Sequence, residues 1–139
     1  MLRLITAAQE EPVDLDFIKG LLRIDHGAFD SILPSLVAAA RGEVERQTGY
    51  ALAQAEYEWT PVGGRSAPLP ILPATVLSAD GVRPIVFRTT PAAVPEGLKL
   101  AIAMLVGDYL LKPEASTEKL VAENPALRRI LFSHSGVLP

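Results

Sequence analysis

The residues able to do chemistry are few and far apart. The two histidines, His26 and His134, lie more than a hundred positions from each other. Neither has a second ligand at a spacing such as i,i+4, which would set two metal-binding side chains on one helix face. Both read as loop or cap residues. Asp14, Asp16, Asp25 and Asp30 crowd into one stretch, but a calcium loop needs regularly alternating ligands closed by a bidentate glutamate, and that pattern is missing. Asp14 and Asp30 have a simpler use as helix N-caps, where a carboxylate accepts free backbone N–H groups. The turn Gly63-Gly64-Arg65-Ser66 is followed by Ala67-Pro68-Leu69-Pro70. That run cannot open the helix on which a phosphate-binding loop depends. No G-x-S-x-G elbow occurs, and no cysteine is present to supply a thiolate ligand or a disulfide. The chain is therefore expected to bind no metal or cofactor and to catalyse nothing. A small ligand-binding or hydrolytic accessory domain is the competing reading. It requires a polar constellation that these residues do not form.

Two further groups bear on contact rather than catalysis. Tyr57 and Trp59 could stack on bases, but they sit in the alternation Ala51, Ala53, Ala55, Tyr57, Trp59, which marks one face of a half-buried strand. The run from Glu43 to Arg46 suits a solvated helix face, and the same run could line a contact between subunits.

The elements that must position these residues follow from apolar spacing. A short helix is expected from Leu15 to Arg23, capped by Asp14, with Phe17, Ile18, Leu21 and Leu22 on one face. A longer helix capped by Asp30 runs to Thr48 and stops at Gly49. Its stripe is Ile32, Leu33, Leu36, Val37, Ala40 and Val44, with Arg41, Glu45 and Arg46 opposite. Pro34 is tolerated only near its start. Six of the twelve prolines fall between Pro61 and Pro91, so the middle is poor helix territory. It reads as a small antiparallel β region, with a tight turn at Asp80-Gly81 joining Val76-Leu77 to Val82–Phe87. Pro84 relegates the second of these strands to a sheet edge. A third helix begins at Pro95 and ends at Leu111, before Pro113. It is apolar nearly all round and so must be covered on most sides; a subunit interface is expected to supply part of that cover. A polar, loop-like stretch to Asn124 precedes a short last helix opened by Pro125. Residues 133–139 carry no strong signal and are expected to form a flexible tail.

Composition bounds the rest. The 139 residues suit one domain, with 49% apolar and 21% charged residues. A formal net charge of −3 with scattered basic residues argues against a DNA-binding regulator, which needs a basic patch to neutralise phosphates. The segment from Met1 to Ala8 is too short for a signal peptide and is soon followed by Glu10 and Glu11. The most apolar run, Leu100 to Gly107, is far below the ~20 residues that span a membrane. The fold class is mainly α (α+β): a small bundle of about four helices with an antiparallel β region inserted between the second and third.

Beyond this, the chain resembles the head–tail connector (adaptor) family of tailed phages. Pro12-Val13-Asp14-Leu15, Lys19 and Leu22-Arg23-Ile24-Asp25 resemble the family's opening helix. Leu33, Leu36-Val37-Ala38-Ala39-Ala40, Val44-Glu45, Thr48-Gly49 and Ala51-Leu52 resemble its longer second helix. Val94-Pro95 through Ala101-Ile102 to Asp108-Tyr109 resemble its third, and Pro125-Ala126 with Ile130-Leu131 its last. Domesticated phage particles, the gene transfer agents, carry similar adaptors. The β region is shorter than in many relatives, and residues 133–139 match no extended family ending.

The resemblance implies a single domain over residues 1–139, made in a bacterial cytoplasm and built into the neck of a phage or phage-like particle. It implies a ring, twelvefold in the particle, between the portal protein and a neck or tail-completion protein. DNA passes through the channel without sequence-specific binding, and no membrane is involved. Leu131, Phe132, His134, Val137, Leu138 and Pro139 are the expected portal contacts. Arg41, Glu45, Arg46, Tyr57 and Trp59 are the expected ring contacts.

Overall fold

A computed structural model describes residues 2–60, 69–79, 84–112 and 124–135, with side chains to residue 133. Among them are four helices and one four-stranded antiparallel sheet, a mixed α+β architecture. In chain order these are β1 (Leu2–Thr6), α1 (Leu15–Leu22), α2 (Leu33–Thr48), β2 (Glu56–Trp59), β3 (Ala74–Ser78), β4 (Ile85–Thr89), α3 (Glu96–Leu111) and α4 (Pro125–Ser135). The expected Gly63-Gly64 loop, the turn at Asp80-Gly81 and the polar stretch from 113 to 123 lie outside the described residues.

The helices end where local chemistry dictates. Asp14 caps α1 by accepting the Phe17 N–H at 2.7 Å. Gly49 closes α2 in the left-handed conformation, φ 71°, which glycine adopts without steric cost. Asn124 accepts the Leu127 N–H at 3.2 Å and so caps α4 just ahead of Pro125. Asp30 does not cap α2. It pairs with Lys19 of α1, while residues 27–32 make a tight turn that delivers the chain to Leu33. Ile32 takes the cap position, with Pro34 in the first turn, where its missing N–H costs nothing.

The main core lies between the helices. Val37, Ala40 and Val44 of α2 meet Leu98, Ala101, Ile102, Leu105 and Val106 of α3, and Ile18, Leu127 and Leu131 close the sides. Helix α3 is thus packed within the subunit against α1, α2 and α4, and most of its side chains are buried or partly buried. At Gly107 an added Cβ would meet Leu22 Cδ2 at 2.8 Å, so α1 and α3 are as close as side-chain volume permits. The exception is the end of the helix, where Leu111 is 81% exposed.

The sheet differs from expectation in three ways. Its strand order is β1-β2-β4-β3, so β4 is central rather than an edge. Pro84 stands just ahead of Ile85 and removes no ladder hydrogen bond, which is why the rule against proline in central strands does not apply. The sheet is not wholly an insertion between α2 and α3, because the N-terminal residues Leu2–Thr6 form the edge strand against β2. Finally, β2 spans only Glu56–Trp59. Residues Ala51 to Ala55 are largely buried but are held by other partners: Ala51 N–H donates to Leu72, and Ala55 N–H donates to Thr89 Oγ1. Thr89, fully buried, returns its hydroxyl to the Ala53 carbonyl at 2.7 Å. A second, smaller core of Ala51, Ala55, Tyr57, Ile71 and Phe87 fills the space between this segment and the sheet. Tyr57 and Phe87 stack there with ring centroids 5.5 Å apart.

Candidate functional site

Side chains directly opposite across an antiparallel pair share a face. The registers therefore place Leu4, Tyr57, Phe87 and Val76 in one row across all four strands. Leu2, Trp59 and Ile85 stand in the next row on the same face. The middle of this face is buried, Phe87 completely, but its two ends are open: Leu4 is 52% exposed and Val76 49%. The opposite face is charged and paired. Arg3 reaches Glu58 at 2.5 Å, and Arg88 reaches Glu56 at 2.8 Å. Those hydrogen bonds from Arg88, with a second from Thr6, hold the Glu56 carboxyl below the usual glutamate value.

Arg41 and Glu45 sit where the sequence expectation fails. Both were expected on a solvated helix face, yet both are buried. Arg41 Nη1 donates to Glu45 Oε1 at 2.6 Å, and Arg41 Nε donates to Glu11 Oε1 at 2.6 Å. Glu45 Oε2 accepts the Leu52 N–H at 3.0 Å. Three segments are joined by this cluster: the approach to α1, thirty positions away from Arg41, α2 itself, and the chain leading to β2. Burial holds the Glu45 carboxyl above its usual value, opposed by the Leu52 N–H and by Arg41. Burial lowers the affinity of Arg41 for its proton, but Glu45 and Glu11 outweigh it and the guanidinium stays charged. The Tyr57 phenol is raised, mainly by burial and then by the Glu45 charge. Three of the five expected ring-contact residues, Arg41, Glu45 and Tyr57, are thus brought together inside the subunit. Arg46 remains exposed and pairs with Glu43 at 2.5 Å. Trp59 is half-buried on the sheet face.

Beside the cluster lies a groove of about 530 Å³, bordered by the N-terminal segment around Glu10 and Glu11, by Leu52 to Glu56, and by Arg88. His26 is not part of it. That residue is exposed, accepts the Ala28 N–H through Nδ1 and packs at 5.4 Å against Phe29. No three metal-ligating side chains converge among the described residues. No helix among them is long and apolar enough to cross a membrane.

The expected portal contacts divide. Leu131 turns into the bundle core at 4% exposure, whereas its neighbour Phe132 is 82% exposed. Helix α4 continues through Ser133–Ser135, where a flexible tail was expected; Ser133 Oγ donates to the Ile130 carbonyl at 2.8 Å. His134 lies on this helix. Val137, Leu138 and Pro139 are outside the described residues.

Sequence reasoning missed Glu11 and the β1 residues Leu2 and Leu4; it expected Val76 in a strand, as found, but not at the sheet edge. The alternation Leu2-Arg3-Leu4 is the signal that could have revealed β1. Glu11 carries no local signal, since its partner is 30 positions away.

No protein-family model matches the chain, and no curated protein does. Among solved structures, a chain from one described as the neck of an empty GTA particle, computed with C6 symmetry, shares its fold. The likeness covers 94% of this chain and 94% of that one, with a TM-score of 0.59 and 21% sequence identity.

Proposed function

We propose that the chain is a structural, non-enzymatic subunit of the neck of a phage-like particle, a head–tail connector that forms a ring between the portal and the next neck or tail component. The observation that carries this reading is the shared fold, which runs nearly end to end with a chain from the neck of a GTA particle. The ordered helix motifs that resemble connectors, from Pro12-Val13 to Ile130-Leu131, support it independently. The chemistry of the described residues is consistent: the buried charges of Arg41 and Glu45 neutralise one another.

In this reading the subunit contributes surfaces, not reactive groups. A cyclic ring closes through a heterologous contact, one face of each subunit on a different face of the next. In this contact we assign a part to Arg46, which is exposed, and to Trp59, which is half-buried. Arg41, Glu45 and Tyr57 act indirectly, by fixing the position of α2 against the sheet. An acidic channel surface would let DNA slide without sticking, because like charges repel.

Toward the portal, Phe132 is the exposed anchor on α4, and Leu131 sets its direction by packing inward. The residues that follow, His134 to Pro139, complete the contact. Truncation after Phe132 is the test. Loss of co-sedimentation with the portal protein, with an unchanged circular dichroism spectrum, is the expected result. Undiminished binding would remove residues 133–139 from the portal contact.

A further inference from the structure

Among the described residues no strand pairs with the outer side of β1 or β3, and neither strand carries a lysine or a proline. Natural edge strands are commonly blocked by lysine, proline, inward-pointing charge or a covering loop. Strand β3 reads Ala-Thr-Val-Leu-Ser, with no charge and no proline. Strand β1 has one charge, Arg3, and its guanidinium is turned back onto Glu58 of the neighbouring strand. Every residue of β1 is exposed, as are all of β3 after Ala74. Five aliphatic side chains crown these edges: Leu2, Leu4 and Ile5 on one, Val76 and Leu77 on the other, each between 37% and 52% exposed.

The two edges are also complementary. Every neighbouring pair in the order β1-β2-β4-β3 is antiparallel, so β1 and β3 run in opposite directions. Translating one subunit beside another therefore sets β3 against β1 of the next copy in antiparallel orientation, and the alternation continues unbroken. The apolar sides agree as well, since Leu2 and Leu4 lie on the same face as Ala74 and Val76. Each edge has a regular three-residue ladder next to a bulge, Leu2–Leu4 before the shift at Leu4/Thr6 and Ala74–Val76 before the shift at Val76/Ser78.

We infer that successive subunits join by pairing β3 of one copy with β1 of the next, Val76 opposite Leu2 and Ala74 opposite Leu4, so that the sheet runs on from subunit to subunit. The occupant of each edge is a second copy of this chain. The contact is head-to-tail, as cyclic closure requires, and joins main-chain hydrogen bonds to a row of aliphatic side chains. This rests on the ring reading above and names the surfaces that close the ring.

Engineered cysteines give a direct test, because the chain has none of its own. Within one subunit Leu4 and Val76 stand at opposite ends of a row three strand spacings wide, roughly 14 Å. A disulfide requires Cα atoms within about 7 Å, so the pairs chosen here can close only between copies. The variants are Leu2→Cys/Val76→Cys and, in the same register, Leu4→Cys/Ala74→Cys. Each is oxidised alone at high concentration and again with the portal ring, then run on a non-reducing gel. The expected result is a ladder of covalent multimers from at least one pair, while single-cysteine variants stop at background dimers. Absence of a ladder from both pairs overturns the edge pairing. If the subunits still co-sediment with the portal, the neck reading survives that failure; if they do not, both fall.

Discussion

Arg41 and Glu45, one turn apart on α2, form an ion pair at 2.6 Å with both side chains withdrawn from water. The pair is completed by Glu11 and by the Leu52 N–H, so it works as a clamp between the chain ahead of α1, the long helix and the segment entering the sheet. A charge left alone in such a place costs far more than an intact pair contributes.

Arg41→Ala should accordingly destabilise the subunit by about 3–5 kcal/mol, the range for a buried pair deprived of one partner. Urea denaturation read by circular dichroism measures it. Conversely, removal of the exposed Arg46 should change stability by about 0.5 kcal/mol or less. Equal losses for the two variants would contradict the burial assigned to Arg41.

Phe87 is fully buried at the centre of the smaller core and stacks on Tyr57. Phe87→Ala should cost about 3–5 kcal/mol through lost burial and the cavity left behind. The same denaturation experiment tests it, and a loss under about 1 kcal/mol would mean that this core is not packed as described.

Gly49 holds φ 71° at the end of α2. Alanine there must adopt a left-handed conformation, which should cost about 1 kcal/mol. The thermal midpoint is the readout. Gly42, in the middle of the same helix with open space around its Cα, should respond oppositely and gain stability as alanine.

The pH dependence of the charged sheet face has a definite sign. Glu56 has a lowered pKa in the folded state, so its stabilising contribution is present above the unfolded-state value and disappears as pH falls through the folded one. Wild type should therefore exceed Glu56→Gln in denaturation midpoint at neutral pH, with the gap closing in the acid range. Buried Glu45 contributes in the opposite sense, because its pKa is raised: its share is present at low pH and lost as pH rises through that raised value. A gap for Glu56→Gln that stays constant into acid would contradict the pairing with Arg88.

Much of the helical scaffold was legible in local chemistry. Asp14 ahead of Leu15, Gly49 after Thr48 and Pro95 before the apolar run each act within a turn of where they stand, so spacing alone reveals them. What spacing cannot reveal is the third dimension. Arg41 and Glu45 look like a solvated i,i+4 pair, because the residue that draws Arg41 inward, Glu11, is far away in sequence. Pro84 looks like a mark of an edge strand, yet the strand begins one residue later and sits in the sheet interior. The sheet order depends on β1 returning to pair with β2 across some fifty residues. The direction of side chains was the least legible: Phe132 and Leu131 are adjacent and similar in type, and only the direction of α4 separates an exposed side chain from a core one.

We propose above that this chain is a ring-forming neck subunit. Native mass measurement of the protein mixed with a portal ring tests it most directly. The account predicts a discrete complex in which a closed ring of copies is seated on the portal, whether or not the isolated chain is monomeric. A chain that remains monomeric and unbound in the presence of the portal would contradict it.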